Sequence, residues 1–204
     1  NKENYIYIDE QFNESTLSLN DVCNKINEKL EFPVFVKPSN SGSSVGVKKA
    51  SNLQELEEAI KFASLYDIKI LIEQGIDARE LECAILGNEN VQASCIGEIL
   101  PAEEFYSYEA KYKNDNSRVV IPASITDEEE RKIKQLAIKA FKSLDAKGLS
   151  RVDFFIDRKT GEIYLNEINT MPGFTKISMY PKLWEKSGIN YNELLDELIN
   201  MAIN

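Results

Sequence analysis

Residues Arg151 to Asn169 read RVDFFIDRKTGEIYLNEIN. Two apolar runs flank a turn-forming segment at Asp157–Gly161, the pattern of a β-hairpin. Side chains two apart on a strand share a face. Symmetric closure about the turn sets Asp153 opposite Glu167 and Arg151 opposite Asn169, so four polar groups converge on one side. Two acids directly opposed repel. A divalent cation would remove that cost, and carboxylate and amide oxygens suit Mg2+ better than they suit a soft metal. The pattern points to phosphoryl transfer with a metal-bound nucleotide. The alternative is a surface ladder of ion pairs, worth about 0–1 kcal/mol each. The neighbours Val152, Phe154, Ile156, Leu165 and Ile168 predict an inner strand pair instead, where unpaired acids are costly.

Composition narrows the chemistry further. The chain has 204 residues, 43% of them hydrophobic, and a net charge of −10 that argues against general nucleic-acid binding. Its longest apolar runs are strand-sized, so no membrane span or signal peptide is expected. There is no histidine, which excludes Ser-His-Asp and Cys-His catalysis and histidine metal sites. Cys23, Cys83 and Cys95 are scattered and form no CxxC, so they read as reduced structural thiols and predict a cytoplasmic protein. The chain opens on Asn1 and enters a strand-like YIYI almost at once, which predicts a fragment lacking an upstream part.

Helices are predicted from Ser18 to Leu30, from a cap at Asn52 to about Leu65, and from Asp127, capped by Thr126, to about Leu144. Asn52 with Glu55, and Thr126 with Glu129, carry capping-box spacing. Strands are predicted at Phe32–Lys37, Val45–Lys49 and Lys69–Gln74, with a hinge at Gly75–Ala78. A hairpin follows, Glu80–Leu86 with Val91–Leu100. Residues 102–118 read as a long Tyr-rich loop, of the kind that is functional or disordered. Two short helices close the chain. This mixture predicts an α+β fold with largely antiparallel sheets, divided as residues 1–74 and 75–204.

Four further segments could carry chemistry. VKPSNSGSSVGV, from Val36 to Val47, is a small-residue loop whose backbone N–H groups can approach an anion, with Lys37 at its entrance. It lacks the Gly-Lys-Ser/Thr of a P-loop, and a flexible surface turn is the plainer reading. LIEQGI, from Leu71 to Ile76, could offer backbone groups to an adenine edge, with Glu80 reaching ribose; plain edge structure would look the same. YSYEAKY, from Tyr106 to Tyr112, could close Lys111 over phosphates, or could be a solvated loop. In NTMPGFTKISM, from Asn169 to Met179, the Gly173 N–H could meet an oxyanion and Ser178 a carboxylate; a tight loop with buried apolar residues is the alternative.

Taken in order, VKPSNSGSSVGV, LIEQGIDARELECAILG, YSYEAKY, SRVDFF and YLNEINTMPGFTKISMYP resemble the D-alanine–D-alanine ligase family of the ATP-grasp superfamily, including the vancomycin-resistance D-alanine–D-X ligases. The resemblance spans residues 34 to 181 and extends to the C-terminal helices. It implies two ATP-grasp subdomains without the family's N-terminal domain, and a role in cell-wall precursor synthesis through an acyl phosphate. By the same resemblance, Lys37 and Lys111 hold ATP phosphates under a lid that includes Ser43 and Ser44. Glu73, Gln74, Ile76 and Phe155 meet the adenine, and Glu80 the ribose. Asp153, Glu167 and Asn169 hold two Mg2+ ions, with Mn2+ as a substitute. Arg151, Gly173 and Ser43 serve the reacting centre. Tyr112, Ser178 and Met179 shape the substrate end. Gln74 stands where many relatives carry lysine. The implied substrates are D-alanine with D-alanine or D-serine, and relatives are commonly homodimers. Another ATP-grasp carboxylate–amine ligase, or a noncatalytic nucleotide-binding fragment, is the competing reading.

Overall fold

The computed structural model describes residues 5–8, 18–100 and 118–203. They fall into two compact units, one ending at Ile76 and the other beginning at Asp77. Both are α+β, and every strand pairing in them is antiparallel.

The first unit is a four-stranded sheet in the order β1-β4-β2-β3. Its strands are β1 (Tyr5–Ile8), β2 (Val34–Pro38), β3 (Lys48–Ala50) and β4 (Ile70–Gln74). Helices α1 (Leu19–Asn27) and α2 (Leu53–Ala63) pack on it. Val22, Cys23 and Ile26 of α1 meet Leu56, Ala59 and Ile60 of α2 over Val34, Val36 and Ile72. Both helices start on side-chain caps, Ser18 with Asp21 and Asn52 with Glu55, which satisfy N–H groups that a helix start leaves unpaired. The strand expected from Val45 begins only at Lys48. Ser44 to Gly46 turn instead, because Ser43 and Ser44 hold left-handed backbone with φ of 54° and 60°, and Gly46 sits at 77°. Left-handed residues cannot continue a ladder.

The second unit is a five-stranded sheet in the order β7-β6-β5-β8-β9. Its strands are β5 (Ala78–Gly87), β6 (Gln92–Leu100), β7 (Arg118–Val120), β8 (Gly148–Asp157) and β9 (Ile163–Asn169). Alternation along β5 and β8 sends Leu81, Cys83, Ile85, Val152, Phe154 and Ile156 to one face. There they meet Ile133, Ala137 and Phe141 of α3 (Asp127–Ser143). Among the described residues of this unit, α4 (Met179–Lys186) and α5 (Tyr191–Ile203) cover one end of the opposite face, where they meet Ala84, Leu86 and Leu149. The buried Tyr180 hydroxyl donates to the Ile85 carbonyl at 3.0 Å and pins α4 to the sheet. Polar residues occupy the rest of that face.

Two expectations need correction here. β9 is the sheet's outer strand rather than half of an inner pair, and Leu165 is 46% exposed rather than buried. An edge strand has a neighbour on one side only, so its apolar side chains are less completely covered. The three cysteines are free, as their spacing indicates, and burial pushes the Cys83 thiol up to about 12. Among the described residues no helix is long and apolar enough to cross a membrane.

Candidate functional site

The hairpin of β8 and β9 has the register that the sequence predicts at its base. Arg151 pairs with Asn169 and Asp153 with Glu167. At its tip the register differs by one: Phe154 pairs with Leu165 and Ile156 with Ile163. Asn166 is therefore an extra residue, a β-bulge, between the two halves. The turn is closed by Gly161 N–H donating to the Asp157 carbonyl, while the Asp157 carboxylate accepts from the N–H groups of Lys159 and Thr160.

The four polar groups converge. Arg151 grips Asp153 with two bonds, Nε to Oδ1 and Nη2 to Oδ2, each 2.7 Å. Such paired, charge-assisted bonds are stronger than neutral ones and fix the plane of the guanidinium. Asn169 Nδ2 donates to Asp153 Oδ2 at 3.0 Å and to Glu167 Oε1 at 3.3 Å. Asp153 is 2% exposed, whereas Glu167 lies open to solvent. Burial alone would lower the Arg151 pKa, but the Asp153 bond and the charges of Glu82, Asp153 and Glu167 outweigh it and raise it.

The donor set fits a hard cation. A partly positive N–H group of Asn169 bridges oxygens of both carboxylates, and rotation of that amide would present an oxygen beside the same two acids. Among the described residues no group of three carboxylate, thiol or imidazole side chains is placed to hold a metal ion. The set is thus two carboxylates and an amide, which suits oxygen-seeking Mg2+ and leaves coordination positions for other oxygens.

Glu82 belongs to this group and was not foreseen. It lies on β5 directly opposite Asp153, with its Oε2 3.2 Å from Arg151 Nε. The available signal was Glu80-Leu81-Glu82-Cys83, an alternation that puts both acids on one strand face. Glu80 pairs with Phe155 in the same register, so these two predicted residues lie on that face as well.

The loop after β9 borders the covered end of the face. Phe174 packs against Tyr180 and Tyr191, each with ring centroids 5.6 Å apart, and the Tyr191 hydroxyl donates to the Phe174 carbonyl. Gly173 lies against Ser178: a Cβ there would come 3.0 Å from the Ser178 hydroxyl oxygen. That hydroxyl accepts from the Thr175 N–H at 3.1 Å. The Met179 side chain is not available to a ligand. It is buried with Tyr180 and Leu183 and presses on Gly97, as its place in the first turn of α4 on the sheet side requires, so a part at the substrate end would fall to its backbone.

In the first unit, Lys37 Nζ lies 2.7 Å from Glu73 Oε2 in a half-exposed ion pair. The Gln74 side-chain amide is already committed, whereas the expected adenine contact is through backbone groups of this segment. It accepts from Glu31 N–H at 2.8 Å and donates to the Glu31 carbonyl at 2.6 Å, so only its backbone remains to offer. Ile76 ends the unit. The loop holding Ser43 and Ser44 is anchored where Asp67 Oδ2 accepts from Asn40 N–H at 2.7 Å. Only glycine fits at Gly46, since a Cβ would sit 2.6 Å from Pro38 Cγ and 2.9 Å from the Tyr66 ring. Lys111 and Tyr112 lie outside the described residues.

Comparison with known proteins follows the same lines. Residues 2–200 match the family model "D-ala D-ala ligase C-terminus". The D-alanine--D-alanine ligase of Acetivibrio thermocellus is 57% identical over 182 residues, 89% of this chain and 48% of that protein. That of Clostridium acetobutylicum is 53% identical over 196 residues, covering 96% of this chain and 57% of the relative. The chain thus spans about half the length of the curated relatives it matches. Among solved structures, the VanG D-Ala:D-Ser ligase of Enterococcus faecalis superposes with a TM-score of 0.83 at 35% identity, covering 97% of this chain and 55% of that one. The D-alanine-D-alanine ligase of Coxiella burnetii gives 0.81 at 34%, with coverages of 98% and 51%. With its antiparallel α+β architecture, its sequence matches and its structural likeness in agreement, the chain belongs to the D-Ala-D-Ala ligase C-terminal family of the ATP-grasp fold.

Proposed function

We propose that this chain carries the nucleotide and metal chemistry of an ATP-dependent ligase that joins D-alanine to a second D-alanine for peptidoglycan precursor synthesis. The observation that carries the reading is the pairing of Asp153 with Glu167, beside Arg151 and Asn169, on one face of the sheet. The names of relatives at 53–60% identity favour D-alanine as second substrate; the D-Ala:D-Ser ligase is more distant at 35%.

In this reading the γ-phosphoryl group of ATP passes to the carboxylate of the first D-alanine, giving an acyl phosphate and ADP. The amino group of the second D-alanine attacks the acyl carbon, phosphate leaves with the electrons of the broken C–O bond, and the proton lost from the nitrogen passes to that phosphate or to solvent. Asp153, Glu167 and Asn169 would hold two Mg2+ ions, which would supply charge neutralisation for the transferred group. Lys37 exchanges its Glu73 partner for phosphate oxygens, and Lys111 joins it. Ser43 and Ser44 cover the phosphates. Glu73, Ile76, the Gln74 backbone and Phe155 bind adenine, and Glu80 binds ribose. Arg151 and the Gly173 N–H meet the oxyanion, while Tyr112 and the Ser178 hydroxyl face the substrate. Every charged role falls to Lys, Arg, Asp or Glu, in keeping with a chain without histidine. A cytoplasmic location and a homodimeric whole protein belong to the same proposal.

Calorimetry of the chain with Mg2+ and ADP tests it. Binding is expected to require Mg2+ and to weaken at least about tenfold in Asp153→Asn, a charge-assisted contact being worth roughly 1.5–3 kcal/mol. Equal binding without Mg2+ would sink the metal assignment. Mixed with ATP, D-alanine and either D-alanine or D-serine, the chain alone is expected to release no dipeptide.

A further inference from the structure

The loop between β2 and β3 is held at both ends by one short segment of the chain. At its entrance, Ser39 N–H donates to the Lys69 carbonyl at 2.8 Å, and Asn40 N–H donates to Asp67 Oδ2 at 2.7 Å. Asp67 Oδ1 accepts from Lys69 N–H at 3.2 Å. One carboxylate thus ties the loop to the turn that joins α2 to β4. At its exit, Gly46 lies against Pro38 and the Tyr66 ring, with no room for a Cβ. The Phe62 ring meets Tyr66 edge to face with centroids 5.2 Å apart, and Lys48 Nζ, from β3, sits 4.4 Å from the Phe62 centroid. Residues 62–69 therefore form a seat under a loop whose neck, Pro38 against Gly46, is closed.

The seat fixes more than the foot of the loop. Val45 N–H donates to the Gly42 carbonyl and Val47 N–H to the Ser44 carbonyl, so the loop folds as consecutive tight turns. Ser43, Ser44 and Gly46 pass through left-handed backbone to make them. Peptide planes are rigid, so in turns this tight the direction of the neck decides the direction of the tip. Asp67 is the acid of the seat. Its bonds from the Lys69 and Asn40 N–H groups hold its carboxyl below the usual carboxylate range. By charge alone an acid near an anion-binding loop is unfavourable; its two backbone bonds give it a different duty, that of holding the chain in place.

We propose that Asp67, together with the Tyr66 ring, is a positioning residue for nucleotide phosphates: it seats the 39–46 loop at the angle from which Ser43 and Ser44 reach them. This rests on the ligase reading above, in which that loop covers the phosphates. Asp67 touches no nucleotide atom in that reading and acts through the backbone at Asn40.

Amide hydrogen exchange followed by NMR reads the seat, and NMR titrations with Mg2+–ADP and with adenosine read its purpose. Asp67→Asn keeps the shape of the side chain but leaves one acceptor oxygen where two are used. Asn40 N–H is expected to exchange about fivefold faster in this variant, as the loss of one ordinary hydrogen bond permits. Mg2+–ADP affinity should fall about fivefold, and adenosine affinity should not change, because adenosine carries no phosphate. Removing a negative charge would by itself favour phosphate, so a fall reports position rather than charge. Tyr66→Leu takes the ring from beside Gly46. It should give the same selective loss, and it serves if the Asp67 variant does not fold. Unchanged Asn40 exchange in folded Asp67→Asn overturns the proposal, as does unchanged Mg2+–ADP affinity once that exchange has risen. An equal loss for adenosine and Mg2+–ADP also overturns it, since that marks a general loosening of the unit. A wild-type chain that binds no Mg2+–ADP overturns the ligase reading beneath the proposal, whatever Asn40 shows.

Discussion

The two faces of the five-stranded sheet each carry a buried arginine–carboxylate fork, and the forks differ in what surrounds them. On the α3 face, Arg79 gives Nε and Nη2 to Glu98 at 2.7 and 2.6 Å, and Nη2 also donates to the Ser124 carbonyl at 2.8 Å. One guanidinium meets one carboxylate and a backbone oxygen beneath the start of α3, with the Glu129 charge also nearby. On the other face, Arg151 grips Asp153 just as closely but shares its charge with Glu82 and Glu167. The pair geometry is the same; the charge balance is not. A well-formed ion pair by itself says little about function. Three acids around Arg151, against two around Arg79, make the group that suits a cation.

That contrast is open to attack, beginning with the fork on the α3 face. Glu98→Ala strands the largely buried Arg79 charge and should cost about 3–5 kcal/mol in urea denaturation, with Mg2+–ADP binding intact. Asp153→Asn should cost about 1 kcal/mol or less, since losing one of several acids relieves repulsion between the rest, while metal-dependent ADP binding falls. If the two variants are equally destabilised, the faces do not differ in the way described. Glu167→Gln, at an exposed position, should change stability by about 0.5 kcal/mol or less and raise the Mg2+ concentration needed for ADP binding.

The smallest effect is expected at the start of α3. Glu129 accepts from Thr126 N–H and Oγ1 at 2.7 and 2.8 Å. The Thr126 backbone and hydroxyl bonds hold its pKa below the usual 4.5, with Arg79 adding to the effect. The folded state therefore binds this proton less readily than the unfolded chain. The stabilisation is fully present above pH 4.5 and is lost as pH falls through the lower folded value. Glu129→Gln should cost about 0.3–1.5 kcal/mol at neutral pH, and the loss should shrink in melts recorded below pH 4. A loss that stays constant with pH would refute the cap's charge dependence.

The parts legible in the sequence were those set by local rules. The two capping pairs, Asn52 with Glu55 and Thr126 with Glu129, follow from spacing alone and are present. The base of the hairpin follows from alternation and its turn. What was hidden depends on partners distant in the chain. Gln74 is consumed by Glu31, 43 residues away. The weight of Glu82 emerges only when β5 lies beside β8. Met179 is buried because α4 packs on Gly97. The serine loop misled for another reason: Ser43 and Ser44 adopt a backbone conformation that non-glycine residues seldom take, so composition gave no cue to the late start of β3.

The bulge at Asn166 governs which way the base of the hairpin faces. From the tip inward, Ile163 and Leu165 count odd on the side facing α3; past the spare residue, the even-numbered Ile168 packs there instead. One unpaired position thus inverts the parity of the strand and delivers Glu167 and Asn169 to Asp153. An uninterrupted ladder with the same tip would set Asn166 across from Asp153 and turn Glu167 toward the oily side. Ligand chemistry in this hairpin hangs on a counting offset, so the turn can keep its own spacing while the charged end keeps a different one.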